Sequence, residues 1–104
     1  MASSFELTED RADGALVLRA SGKFDRGAGE AVAAHMDAHE GTCVLNMADV
    51  EYISSTGVAF LAKLSAGQGL RIADPADCVR NILSLAGVER ILSIFASDEE
   101  AKQG

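Results

Sequence analysis

Apolar and polar residues alternate along Phe5-Glu6-Leu7-Thr8-Glu9, the mark of a strand with one wet face, and Ala12-Asp13-Gly14 supplies a turn after it. The next run, Ala15-Leu16-Val17-Leu18-Arg19-Ala20, reads as a strand paired to the first in a hairpin and closed by Gly22. Lys23 to Gly27 then forms a loop before an alanine-rich helix from about Gly29 to His39. On it Val32 and Met36 share a face, as do Ala31 and His35, because residues four apart stack along a helix. Gly41 ends that helix. From Thr42 a mostly apolar strand leads through a short acidic loop into Ser54-Ser55-Thr56-Gly57 and a second helix. Gly57, Phe60, Leu61 and Leu64 give that helix one core-facing side, and Gly67 and Gly69 bracket its end. Leu70 to Ala73 reads as a short strand. Asp74-Pro75 opens a third helix with an acidic cap and a proline in its first turn, carrying Val79, Ile82, Leu83 and Ala86 inward until Gly87 stops it. A last strand, Ile91 to Phe95, precedes a short polar helix from about Ser97 to Gln103.

Strands alternating with helices over the later two thirds imply right-handed crossovers between neighbouring parallel strands, and the leading hairpin adds an antiparallel edge. The predicted architecture is α/β: a mixed, mostly parallel sheet of about five strands with an N-terminal hairpin and about four helices. No repeat, linker or low-complexity segment interrupts it.

A chain of 104 residues suffices for one core and is too short for two, so one domain spanning 1–104 is expected. The hydrophobic share of 48% suits a folded protein. A net charge of −7, without any basic run, argues against binding nucleic acid through its phosphates. No apolar stretch approaches the roughly 20 residues that span a bilayer. Met1-Ala2-Ser3-Ser4 also leads straight into charged strand-like sequence, so a cytoplasmic protein without direct membrane insertion is expected. Cys43 on a strand and Cys78 on a helix lack C-x-x-C spacing and read as two reduced structural thiols.

The three hydroxyls Ser54, Ser55 and Thr56 fall at a helix N-terminus, where free N–H groups and the positive end of the helix dipole favour an anion. Simple capping, worth about 1 kcal/mol, accounts for such residues; a phosphorylation site is compatible with it, since a first-turn serine can also offer its hydroxyl to a kinase. His35 and His39, four apart, have no further ligands in a metal-binding pattern and read as surface or helix-end residues. The pairs Gly27/Gly29 and Gly67/Gly69 are turns, not nucleotide loops. No nucleophile with a base, no poised carboxylate pair and no cofactor motif is visible, which favours a binding module over an enzyme and implies no metal or cofactor.

The segment from Ser54 to Val58 resembles the Asp-Ser-Ser/Thr-Gly-Leu signature of STAS domains, above all those of bacterial anti-sigma-factor antagonists. Gly22-Lys23-Phe24-Asp25 resembles the same family's Gly-x-hydrophobic-Asp. Leu85-Ala86-Gly87-Val88-Glu89-Arg90-Ile91 resembles its late Leu-x-x-Gly-Leu segment. Any one match is weak; three in the right order and spacing, over almost the whole chain, are specific. The resemblance implies a STAS fold, phosphorylation at Ser55, and a partner-binding patch of Asp25, Ser54, Ser55, Thr56 and Gly57. The signature's leading aspartate is replaced by Ser54, which removes a carboxylate and adds a second candidate acceptor. The implied role is to bind a serine-kinase anti-sigma factor and so release a sigma factor, with a metal-dependent serine/threonine phosphatase restoring Ser55. A STAS subunit of a membrane lipid or anion transport complex is the first alternative, and a small hydrolase or transferase on a similar scaffold the second.

Overall fold

The computed structural model describes residues 5–12 and 14–103; the predicted lead-in at residues 1–4 and Asp13 of the first turn lie outside the described residues. In chain order the elements are β1 (Phe5–Ala12), β2 (Ala15–Phe24), α1 (Arg26–Asp37), β3 (Cys43–Ile53), α2 (Ser55–Gln68), β4 (Arg71–Ala73), α3 (Asp77–Ala86), a 3-10 turn (Glu89–Ile91), β5 (Ser93–Phe95) and α4 (Asp98–Gln103). The sheet order is β1-β2-β3-β4-β5. The hairpin β1/β2 is antiparallel, and every later pairing is parallel. The expected mixed α/β sheet with its N-terminal hairpin and four helices is therefore present.

This order decides where the helices go. Each parallel crossover steps one strand further in the same direction, and right-handed crossovers of that kind place α1, α2 and α3 on one face of the sheet. Their buried residues Val32, Met36, Leu61, Leu64, Val79 and Leu83 pack there on Leu16, Leu18, Leu45, Met47 and Ile72. Alternate residues point the other way. On that second face Val17, Val44 and Ala73 form a smaller cluster with Ala101 of α4 and Phe95.

Both long strands outrun the expected bounds. β2 continues through Gly22 and Lys23 to Phe24, and the predicted acidic loop after Met47 is part of β3. Strand β2 takes eight steps from Leu16 to Phe24 while β3 takes ten from Cys43 to Ile53, so β3 absorbs two extra residues at two register shifts. At the first, the Ala48 N–H donates to the Asn46 side-chain oxygen at 2.9 Å. At the second, Gly22 adopts φ +83°, a conformation that glycine takes without steric cost.

Helix α1 starts at Arg26, earlier than expected, because Asp25 caps it; it ends at Asp37, short of His39. Helix α3 begins at Asp77 with Ala76 at its cap position and no side-chain cap bond, so Asp74-Pro75 precedes the helix instead of opening it. Asp74, at φ 48°, donates its N–H to the Phe95 carbonyl at 2.8 Å, and the Ala76 N–H donates to the Met47 carbonyl at 3.1 Å; these bonds to β5 and β3 hold the segment out of the helix. Ile91, expected in the last strand, lies in the 3-10 turn. Gly69 and Gly87 cap the C-termini of α2 and α3 as the pattern predicts.

Candidate functional site

The candidate residues come together where β2 and β3 both end. The Ser54 N–H donates to the Phe24 carbonyl at 3.0 Å, which ties the residue before α2 to the residue before Asp25. Gly57 completes this junction: a Cβ there would run into the Phe24 carbonyl oxygen, so only glycine lets the first turn of α2 lie against the end of β2. The β3 register shifts supply the reach that makes the two ends meet. Two helix N-termini, each with its own cap, thus stand side by side.

The caps divide the labour among the hydroxyls. The Asp25 Oδ1 accepts the Ala28 N–H at 3.1 Å and caps α1. The Ser54 Oγ accepts the Gly57 N–H at 3.0 Å and caps α2, in a half-buried position. Capping therefore accounts for Ser54, while Ser55 and Thr56, in the first turn, are exposed. Ser55 faces one side of α2 and Thr56 the other. Ser55 lines a groove of 350 Å³ between α2 and α3, together with Tyr52, Ile53, Val58, Ile82 and Ala86. Thr56 lines a smaller one of 150 Å³ with Ala59, Phe60 and Lys63.

The groove corrects the expectation for α3. Val79 and Leu83 are buried in the core, but Ile82 is 38% exposed and Ala86 is exposed too. Tyr52, at 53% exposure, stands across the groove on β3, and Leu85, at 84%, lies on the outer side of α3. The apolar pattern alone had no reason to pick out Tyr52. A signal for the rest was present: Ile82, Leu85 and Ala86 recur at i, i+3 and i+4, a second apolar stripe beside the one that meets the sheet.

The other candidates lie elsewhere. His35 Nδ1 contacts the Ala31 carbonyl oxygen at 2.9 Å and its Nε2 is 3.4 Å from Glu9, whereas His39 sits beyond the helix with Nε2 buried and unpartnered. Among the described residues no three His, Cys, Asp or Glu side chains are grouped to hold a metal ion, and no helix is long and apolar enough to cross a membrane. Cys43 is buried in β3, and burial pushes its thiol pKa up; Cys78 is exposed on α3 with its Sγ 3.4 Å from the Val50 carbonyl oxygen.

The family described as "Mlab, STAS domain" matches residues 7–93 of the chain. No curated protein matches it by sequence. Among solved structures, an anti-sigma factor antagonist from Mycobacterium paratuberculosis is similar at 19% identity and a TM-score of 0.83, over 96% of this chain and 92% of that one. SpoIIAA of Bacillus in its phosphorylated form is similar at 20% identity and a TM-score of 0.61, over 94% of this chain and 97% of that one. A sulfate transporter family protein from Wolinella succinogenes is similar at 20% identity and a TM-score of 0.72, over 88% of this chain and 84% of that one. At these identities the likeness is one of fold.

Proposed function

The chain belongs to the STAS domain family, and on that premise we propose that it is an anti-sigma-factor antagonist, a single STAS domain over 1–104 that binds a serine-kinase anti-sigma factor and so frees a sigma factor. The observation that carries this reading is the exposed Ser55 hydroxyl at the first turn of α2, on the rim of an apolar groove that includes half-exposed Tyr52 and Ile82. Large exposed apolar side chains at a concave surface suit a protein partner. The contact surface is Asp25, Ser54, Ser55, Thr56 and Gly57, extended over the groove.

In this reading the chain is a substrate and not an enzyme. The Ser55 Oγ attacks the γ-phosphorus of ATP held by the kinase; the new O–P bond forms as the bond to the β-phosphate oxygen breaks, ADP leaves, and the hydroxyl proton passes to a base on the kinase. The phosphate adds about −1.5 to −2 charges at a helix N-terminus, which tolerates them, while the partner that had packed against a neutral hydroxyl meets an unpaired charge. A phosphatase reverses the change by hydrolysis. Ser54, already engaged as the cap, is the poorer acceptor. Incubation with its cognate serine-kinase anti-sigma factor and ATP, followed by peptide mapping, should place one phosphate on Ser55 and none in Ser55→Ala. Phosphate at the wild-type level in Ser55→Ala would overturn the assignment.

A second reading, a STAS subunit of a membrane transport complex, is favoured by the likeness to a sulfate transporter family protein. There the same groove docks permanently. Stable co-purification with a transporter or its ATPase, unchanged in Ser55→Ala and Ser55→Asp, would support it against the switch.

A further inference from the structure

Among the described residues α4 is the one helix packed on the second face of the sheet, turned away from Ser55. Ala101, set on Val17, Val44 and Ala73, is its one fully buried residue, and the Lys102 side chain is 11% exposed. The other contacts that hold it are polar. Asn46, itself buried in β3, donates its amide to Asp98 at 2.8 Å; Arg19 stands 3.5 Å from the other oxygen of Asp98; and Arg71 donates to the Ala101 carbonyl at 2.7 Å. Two guanidinium groups and one amide thus grip the two ends of a short helix whose first turn is Asp98, Glu99 and Glu100.

We propose that α4 is a detachable strap, and that the face it covers is a second docking surface whose occupant is an acidic, alanine-centred helix of a partner protein. Three observations support this. Polar contacts exchange with water at small net cost, so the strap opens locally far more readily than the core, which loses nothing from the main cluster when α4 leaves. The surface then uncovered is an apolar strip of Val17, Val44 and Ala73 with Arg19 and Arg71 at its sides and the Asn46 amide at its centre, bordered on β1 by Asp10 opposite Val17; two guanidinium groups and an amide donor against that one carboxylate select an acidic helix. Finally, α4 itself shows the geometry such a helix would adopt. A longer helix with more apolar contact would displace it, and the strap sets the threshold, since occupancy in trans is reduced by the fraction of chains that are closed.

The test uses the full chain, isotopically labelled, titrated to millimolar concentration with an end-blocked peptide of its own residues 96–104. The amides of Val17, Val44, Asn46 and Ala73 should shift saturably while the chain's own α4 amides lose their helical shifts, and a scrambled peptide of the same composition should do neither. Asp98→Ala in the chain loosens the strap and should tighten binding of the unaltered peptide severalfold. Asp98→Asn, which keeps an acceptor for Asn46 and loses the charge toward Arg19, should give a smaller gain in the same direction. The Asp98→Ala chain should bind a peptide carrying the same substitution more weakly than the unaltered one. Absence of shifts on this face, equal shifts with the scrambled peptide, or no gain in either Asp98 variant would overturn the proposal. So would dimerisation of the full chain without peptide through the same residues, which would make a second copy the occupant.

Discussion

Ser54 and Ser55 are neighbours in sequence with the same chemistry, yet one bond separates their roles. The Ser54 hydroxyl is committed to the Gly57 N–H, and that of Ser55 faces the groove. Ser54→Ala should therefore lower stability by about 1 kcal/mol, read as a shift of the thermal midpoint by several degrees, and leave Ser55 the phosphorylated residue. Ser55→Asp should act in the opposite domain of effect. A negative charge at that helix end is favoured by about 0.3–1 kcal/mol, so the melting temperature should stay within a few degrees of wild type while kinase binding weakens at least tenfold, about 1.4 kcal/mol. Calorimetric titration with thermal melts decides it; an unfolded variant, or one binding as tightly as wild type, would remove support for a surface switch. The position of Ser55 at a helix start was legible in the sequence because hydroxyls followed by an apolar stripe mark one. Which hydroxyl caps was not, since Ser54, Ser55 and Thr56 all cap well and the choice depends on Phe24, thirty residues away, receiving the Ser54 N–H.

At the scale of elements, α3 and β3 carry what the pattern misjudged. Helix α3 has apolar residues around more of its circumference than the sheet can cover, and reading them as one inward face put Ile82 and Ala86 in the core. Their exposure instead makes one wall of the groove. Ile82→Glu should consequently leave folding nearly intact, within about 0.5 kcal/mol as for other surface changes, and weaken kinase binding chiefly through faster dissociation. Surface plasmon resonance beside a denaturant titration separates the two, and a variant that unfolds without losing affinity per folded molecule would return Ile82 to the core. Asp49 and Glu51 interrupt the apolar run of β3, so hydrophobic patterning predicts a shorter strand than Cys43–Ile53. Bulges are the physical reason: each extra residue turns a side chain outward without ending the strand, and hydrophobic alternation cannot register that. The hairpin, the glycine caps and the strand-helix alternation needed only local signals and were legible for that reason.

For the molecule as a whole, the sequential strand order gathers α1, α2 and α3 on one face and brings the ends of β2, β3 and β4 to one edge. Exposed Asp25, Asp49, Glu51 and Asp74 belong to these strand ends or to the turns that follow them and Asp77 opens α3; with only Lys23 and Arg26 exposed on either side of Asp25, acidic residues outnumber basic ones among these, within a chain of net charge −7. A partner reaching Ser55 must cross that field. Like charges facing each other would cost affinity, so the rim of the partner's face, around the uncharged part that packs on the Ser55 hydroxyl, is expected to be basic, and long-range attraction then raises the association rate. Such attraction is screened as the Debye length falls from about 30 Å at 0.01 M salt to about 8 Å at 0.15 M, whereas contacts inside the apolar groove are not. Raising ionic strength across that range should therefore slow association with the kinase about tenfold or more and change dissociation little, the reverse of the pattern expected for Ile82→Glu. Removing two of the carboxylates together, as Asp49→Asn with Glu51→Gln, should flatten the salt dependence of the association rate without altering the groove. Stopped-flow association rates over a salt series measure both effects. A rate that is insensitive to salt in the wild-type protein, or a salt slope unchanged in the double variant, would mean that the acidic edge does not guide the partner and that recognition rests on the groove and the Ser55 hydroxyl alone.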